Sequence, residues 1–540
     1  MMRIVLISLI EDISAPSLRY LSAYLKVQGH DTSLIFLPWG FTDRALNSAN
    51  SFRYPYPPEV LDQVIEKCKD ADLVGLSLMT CHFDNAIHVT QALRRRISAP
   101  IIWGGIHPTI RPLECLQYAD MVCIGEGEIS TSELAKEMSS GKAWDSLTIP
   151  GIMMRSASSQ SPIVPGPIME SLDQLPMPDY DLECHHILYE GKLVRMDSAL
   201  LSRCLSRGYA AMFSRGCPYS CTYCCNNALR SLYQRKLPMR WRSVENRIGE
   251  LESALRLMPD LQVVGFADDA FLAQPEKTLN DFFQQYQTKI NLPFMLLTTP
   301  RSVTEERMEL LVDAGLYHIG IGIQSGSERI FKDLYSRPET VQNVLSTSRC
   351  IKRVGRKKGT EILARYDVIL DNPWETEDDL TASINLCRQL EKPYNLATFS
   401  LTLYPGTQLY ERARQEGLIV DDLNQVYRSS QLVPKHTYLN GVFAALSANA
   451  PNWIVAALLW KPLRRLRWLE SLPYAVAGFF ETVKLGKGFL GFVVRGEWNT
   501  MRYLFKPGLS KLRSAFYSPQ KKNTRPVFDG GPGKTSGRLV

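Results

Sequence analysis

The chain has 540 residues, 45% of them hydrophobic and 22% charged, with a formal net charge of +7. That length predicts two or three domains with cores of their own, and the composition excludes a disordered or fibrous chain. The basic excess gathers at the end, where seven Lys/Arg stand against one Asp from Pro507 onward. The remainder is nearly neutral, so no nucleic-acid partner is expected. Twelve cysteines, and a start (Met1-Met-Arg-Ile-Val-Leu-Ile) without a long apolar leader or cleavage site, lead to the expectation of a reducing, cytoplasmic setting.

Residues 1–143 alternate short β-branched runs with amphipathic stretches. Strands are predicted at 4–9, 33–37, 73–78, 100–103 and 121–124, and helices at 17–28, 59–69, 85–96 and 130–138. Right-handed crossovers turn this pattern into a doubly wound, flavodoxin-like α/β domain whose ligand crevice lies at the carboxyl ends of the strands. The loops at those ends are Leu78-Met79-Thr80, Gly104-Gly105-Ile106-His107-Pro108-Thr109 and Gly125-Glu126-Gly127-Glu128. Their glycines let a large ligand approach the backbone.

These last two loops resemble those of the cobalamin-binding domain that precedes many radical S-adenosylmethionine (SAM) cores. The resemblance implies cobalamin contacts from Met79, Thr80, Gly104, Gly105, His107, Thr109, Gly125, Glu126 and Gly127. Proteins that ligate cobalt from below carry Asp-x-His-x-x-Gly after the first strand, whereas here that loop is Ile10-Glu-Asp-Ile-Ser-Ala-Pro. A histidine-free lower face is therefore expected. His107 lies on the fourth-strand loop, where capping of backbone or corrin amides competes with cobalt ligation, and His82 and His88 read as loop and helix-surface residues.

Residues 144–206, rich in Ser and Pro, read as a linker strap without a core. From 207 to 417 the βα alternation resumes, with strands at 209–214, 262–267, 294–298, 317–323, 362–370 and 397–403. Six such units suffice for an open (βα)6 barrel, with its chemistry on the loops after the strands. The first of these loops, Gly216-Cys217-Pro-Tyr-Ser-Cys221-Thr-Tyr223-Cys224-Cys225, spaces its cysteines C-x-x-x-C-x-x-C. Soft thiolates suit zinc or an iron–sulfur cluster. A structural zinc site wants four closed ligands, commonly as two separated pairs, and no second C-x-x-C exists. Cys217, Cys221 and Cys224 would leave one iron of a four-iron, four-sulfur cluster open to a substrate or cofactor.

The loop closely resembles the signature of the radical SAM superfamily. That resemblance implies SAM bound at the open iron and cleaved by one electron to a 5′-deoxyadenosyl radical. It also implies Tyr223 along the adenine, Asp268 or Asp269 at the SAM amino group, and Gln324, Ser325 and Glu328 at its ribose or methionyl groups. Glu328 could equally charge the first turn of the next helix, and Asp269 could cap one.

After Gly417 the pattern stops. Residues 418–516 read as a helical cap over the substrate side of the barrel, or as an interfacial anchor in peripheral contact with a membrane, because aromatics there adjoin Arg464, Arg465 and Arg467. Residues 517–540 read as a disordered basic tail, and Gly530-Gly-Pro-Gly-Lys-Thr lacks the first glycine, strand and helix of a phosphate loop. Residues 1–417 as a whole are similar to the cobalamin-dependent (class B) radical SAM enzymes. The resemblance implies methyl transfer to an unactivated carbon of a small-molecule substrate, with an electron donor such as flavodoxin or ferredoxin. Radical cyclisation or rearrangement of a tetrapyrrole- or lipid-like molecule is the alternative, and a non-catalytic cobalamin sensor or scaffold is the reading from another class.

Overall fold

The computed structural model describes residues 1–38, 56–156, 161–234 and 236–494. Residues 495–540, which include the basic tail, lie outside the described residues. The chain divides into two units, 1–481 and 482–540, and everything below concerns the first unless stated.

In the N-terminal domain β1 (Arg3–Ser8), β2 (Asp31–Phe36), β3 (Leu73–Ser77), β4 (Ile101–Gly104) and β5 (Met121–Cys123) run parallel in the order β5-β4-β3-β1-β2. Both faces are covered, which explains why these strands are continuous apolar runs. Ile4 and Leu6 face one core with Leu18, Leu25 and Leu134, while Val5 and Ile7 face another with Val60, Val64 and Val89. The strap does more than connect. Its β6 (Ile152–Met154) adds antiparallel to β5, β7 (His186–Tyr189) adds parallel to β2, and β8 (Lys192–Arg195) pairs with β7. Both edges of the sheet are thereby extended to eight strands. Segments of three or four residues are too short to show periodicity, which is why the composition of 144–206 points only to an irregular linker.

The second domain opens with β9 (Gly208–Ala211) and a small ribbon of β10 (Ser214–Arg215) and β11 (Arg240–Trp241). There follow β12 (Val263–Phe266), β13 (Phe294–Thr298), β14 (Leu316–Gln324), β15 (Leu363–Leu370) and β16 (Tyr394–Ser400). The parallel sheet β9-β12-β13-β14-β15-β16 has β9 and β16 at its two ends, an open six-stranded barrel. Ser243, Thr304, Thr340 and Thr376 cap the helices Val244–Leu257, Glu305–Asp313, Val341–Lys357 and Glu377–Arg388, each hydroxyl accepting a backbone N–H of the first turn. The strand faces differ. Leu296 is 1% exposed in the core, whereas its neighbour Leu297, on the opposite face of the strand, is 42% exposed.

The C-terminal helix Tyr438–Ser447 packs on Glu377–Arg388 and on the end strand β16, with Ser447 Oγ donating to the Leu396 carbonyl at 3.2 Å. It thereby covers an edge that would otherwise invite pairing. Asn452–Leu458, Lys461–Arg464 and the helix Leu472–Val494 follow. Among the described residues no helix is long and apolar enough to cross a membrane.

Candidate functional site

The ribbon of β10 and β11 presents the cysteine loop. Gly216 has φ +96°, and a Cβ there would come within 3.1 Å of the Pro238 carbonyl, so the turn into Cys217 needs glycine. Cys224 N–H donates to the Cys221 carbonyl at 3.1 Å, and Cys224 caps the helix Cys225–Leu232. The loop is sewn to its neighbours: Thr222 Oγ1 donates to the Leu334 carbonyl at 2.6 Å, and Leu409 N–H donates to the Thr222 carbonyl at 3.2 Å. A hydrogen bond from the Cys225 thiol, aided by the Asn226 backbone, holds Cys224 below the ordinary thiol range. Burial pushes Cys217 up to about 11. Burial also raises Cys221, with Arg337 acting against it. Cys225 is exposed. Among the described residues no three His, Cys, Asp or Glu side chains gather around a single-ion position. A cluster does not ask for that, since each thiolate ligates a different iron. Three thiol donors, Cys221 buried and Cys217 and Cys224 partly buried, on one tightly tethered loop fit that group.

The strand ends of the N-terminal sheet face this loop across a cavity of about 330 Å³. Gly104, Gly105, Thr109, Gly125, Glu126 and Gly127 line one side, and Gly216, Asn226 and Asp269 line the other. Gly105 has φ +102° and a Cβ there would sit 2.6 Å from the Leu78 carbonyl; at Gly125, φ +90°, it would sit 2.1 Å from Tyr233 Oη. Thr109 Oγ1 donates to the Gly105 carbonyl at 2.8 Å and accepts from Gly125 N–H at 3.0 Å, joining the two loops. Small residues over apolar walls of Leu6, Leu18 and Ile102 fit a bulky ligand such as cobalamin, whose ring they would reach largely through backbone groups. Among the described residues no histidine lines the cavity.

His107, Thr80 and Met79 stand outside that lining. His107 is buried between Phe83 and Tyr427, each ring centroid 4.9 Å away, with Nδ1 3.2 Å from Thr80 Oγ1. Burial and the charge of Arg111 push its imidazole down to about 3. His82 is fully buried rather than a surface loop residue, with Nε2 3.4 Å from Glu11 Oε1. Burial opposes its charge, but hydrogen bonds with Cys81 and Glu11 push it up to about 9. The short turn Thr80–His82, between β3 and the next helix, shows no period from which this inward direction could be read.

Glu126 and Glu128 do work that the sequence reading did not anticipate. Arg215 Nη1 lies 3.0 Å from Glu126 Oε2 and 3.1 Å from Glu128 Oε2, while Arg240 pairs with Glu126 and donates to the Met169 carbonyl at 2.6 Å. Tyr233 Oη accepts from Glu126 N–H at 3.3 Å and donates to the Gly166 carbonyl at 3.1 Å. Two carboxylates of one domain thus clamp the ribbon that carries the cysteines of the other.

The residues expected around SAM divide into groups. Asp269 lines the cavity, and burial raises its carboxyl while Asn226 acts against that. Asp268 is buried, its Oδ1 accepting from Phe213 N–H at 2.9 Å and from Ser214 Oγ at 2.5 Å while Oδ2 has no hydrogen-bond partner among the described residues; burial pushes it up to about 6. Gln324, in a left-handed conformation at φ +63°, ends β14 at a register shift. Ser325 Oγ lies 3.2 Å from Ser383 Oγ and 3.3 Å from Glu375 Oε1. Glu328 Oε1 accepts from Val341 N–H at 2.8 Å at the start of the next helix. Tyr223 meets Tyr335 edge-on at 4.9 Å and accepts a hydrogen bond from Arg337 at 2.9 Å.

Two family models match the chain in order, the B12 binding domain over residues 2–135 and the Radical SAM superfamily over residues 212–386. The chain is 25% identical to an uncharacterised methyltransferase of Pyrococcus horikoshii, over 65% of this chain and 71% of that one. It is 23% identical to cytidylyl-2-hydroxyethylphosphonate methyltransferase of Streptomyces wedmorensis, over 76% and 79%. It is 22% identical to the anaerobic magnesium-protoporphyrin IX monomethyl ester cyclase of a Synechocystis strain, over 76% and 74%. Among solved structures it shares its fold with TsrM of Kitasatospora setae, a radical S-adenosylmethionine methyltransferase (TM-score 0.59, 17% identity, 77% and 76% covered). It shares it also with OxsB, a cobalamin-dependent S-adenosylmethionine radical enzyme (TM-score 0.61, 18% identity, 85% and 70% covered). The chain belongs to the cobalamin-dependent (class B) radical SAM enzyme family, whose cofactors are a four-iron, four-sulfur cluster, SAM and cobalamin.

Proposed function

We propose that this enzyme transfers a methyl group to an unactivated carbon of a small molecule. The observation that carries the reading is the shared chamber, in which Gly104, Gly105, Gly125 and Gly127 of one domain face Gly216, Asn226 and Asp269 of the other. The bound cofactors would supply reductive cleavage of SAM and a transferable methyl group. The protein's share is to hold and orient them. Cys217, Cys221 and Cys224 would hold the cluster; Asp269, beside that loop and lining the same cavity, would take the SAM amino group; Tyr223 and Gln324 would flank the rest of SAM. Asp268 fixes the connection from β9 into β10 through Phe213 and Ser214. Ser325 and Glu328 would brace the loop after β14, Glu328 by accepting from Val341 N–H at the start of the next helix. The glycine loops would receive cobalamin, and Thr109 sets the gap between them. His107 and Thr80 support that loop from behind.

A one-electron donor such as flavodoxin or ferredoxin is required, because the cluster must be reduced before each cleavage. Trp453, Trp460 and Trp468 are 73%, 64% and 80% exposed, which supports peripheral membrane contact over a cap formed by these three rings. Anaerobic turnover with methyl-deuterated SAM tests the main reading. Both S-adenosylhomocysteine and 5′-deoxyadenosine should form, and a deuterated methyl group should appear in the product. Cleavage to 5′-deoxyadenosine with a ring-closed, unmethylated product would favour the cyclase reading. Cofactor binding without any cleavage of SAM would favour a sensor or scaffold.

A further inference from the structure

Two charged side chains beside the cysteine loop are not among the residues assigned above to cobalamin or SAM. Arg337 and Glu339 follow the helical turn Ile330–Leu334 and are 8% and 3% exposed. Arg337 Nη1 lies 3.9 Å from Cys221 Sγ and donates to Tyr223 Oη at 2.9 Å, while Nη2 donates to the Gly322 carbonyl at 2.7 Å. These contacts fix the guanidinium against one of the three cluster-ligating sulfurs. Glu339 Oε1 stands 3.6 Å from Arg337 Nη2, and both carboxylate oxygens are buried without a hydrogen-bond partner among the described residues. Such an arrangement is costly. Burying a carboxylate that accepts no hydrogen bond forfeits hydration, and its pairing with Arg337 restores only part of it.

Buried charges are weakly screened and act over several ångströms. One-electron reduction adds negative charge to a cluster, so a cation beside a ligand sulfur stabilises the reduced state and an anion opposes it. We propose that Arg337 and Glu339 form an opposed pair that sets the reduction potential of the cluster held by Cys217, Cys221 and Cys224, with Arg337 raising it and Glu339 lowering it. Arg337 contacts a ligand sulfur and Glu339 contacts Arg337, so the arginine has the larger effect. The pair brings the cluster within reach of a protein electron donor while limiting how far its potential rises. Both are positioning residues for the charge, with no contact to substrate implied, and the inference rests on the cluster assignment above.

The test is an EPR-monitored redox titration of the full-length chain, reconstituted anaerobically with iron and sulfide, with dithionite as reductant. Arg337→Gln should move the midpoint to a more negative potential, Glu339→Gln to a more positive one, and Arg337→Lys should stay near the parent. Opposite shifts from adjacent residues are a signature that general loosening of the loop does not produce. If Arg337→Gln assembles no cluster, Arg337→Lys and Glu339→Gln keep the cation and carry the test. A Glu339→Gln midpoint that is unchanged or more negative overturns the proposal, as do shifts of one sign from both neutral variants. Failure of the parent chain to assemble a cluster refutes the cluster assignment itself, and with it the proposal.

Discussion

Glu126→Ala tests the clamp between the two domains. Glu126 is the shared partner of Arg215 and Arg240, whose side chains are 14% and 6% exposed, and its own is 16% exposed. Removing one member of a buried ion pair costs about 3–5 kcal/mol, chiefly because the remaining charge stays desolvated. The lower end applies here, about 3 kcal/mol, since Arg215 keeps Glu128 and Arg240 keeps the Met169 carbonyl. The assay is urea denaturation of the apo-chain followed by tryptophan fluorescence, with Glu126→Gln beside Glu126→Ala to separate charge from hydrogen bonding. The effect also has a pH signature. Burial raises the Glu126 carboxyl, but Arg240 and Arg215 outweigh it and the net shift is downward. A carboxyl lowered on folding stabilises above its unfolded pKa of about 4.3 and loses that stabilisation as pH falls through the folded value. The gap between parent and variant should therefore be full at pH 7 and narrow as pH falls below about 4.3 toward the lower folded value. A Glu126→Ala variant within about 0.5 kcal/mol of the parent, the range of ordinary surface changes, would refute the reasoning.

His82, raised to about 9, contributes stability that is full below its unfolded pKa of about 6.5 and is lost as pH rises through 9; His82→Gln should flatten that slope, measured by thermal melts from pH 6 to 10. Gly105→Ala places a Cβ 2.6 Å from the Leu78 carbonyl at φ +102°, so it should cost at least about 1 kcal/mol and weaken cobalamin retention on a desalting column while leaving the cluster's visible absorbance intact. Alanine at Cys217, Cys221 or Cys224 should abolish that absorbance, whereas Cys225→Ala should preserve it; the reverse pattern would reassign the ligands. If the exposed tryptophans meet a membrane surface, the chain should co-sediment with anionic vesicles and dissociate with added salt, and the triple Trp453/Trp460/Trp468→Ala variant should not bind.

The parallel strands were readable because burial on both faces makes them unbroken apolar runs, as at Ile4–Ile7 and Val74–Leu76. The cysteine spacing and the strand-end glycines were readable because each demands a local geometry. What escaped was long-range. Arg215 and Glu128 are 87 positions apart, and Arg240 and Glu126 are 114 apart, so no window of sequence shows that they meet. Arg337 is similarly remote from Cys221, with 116 positions between them. Direction escaped too. The spacing around Gly104 could place His107 on the strand-end loop but could not show its ring turning toward Phe83 and Tyr427, away from the cavity.

The central claim is that one chain brings a SAM-cleaving cluster and cobalamin to a single chamber. The most direct measurement is 5′-deoxyadenosine formation by the anaerobically reconstituted, cobalamin-loaded chain after addition of reductant and SAM. The expected result is 5′-deoxyadenosine from the parent chain and from Cys225→Ala, and none from variants lacking Cys217, Cys221 or Cys224. A chain that carries both metal cofactors in full and still leaves SAM intact would contradict it.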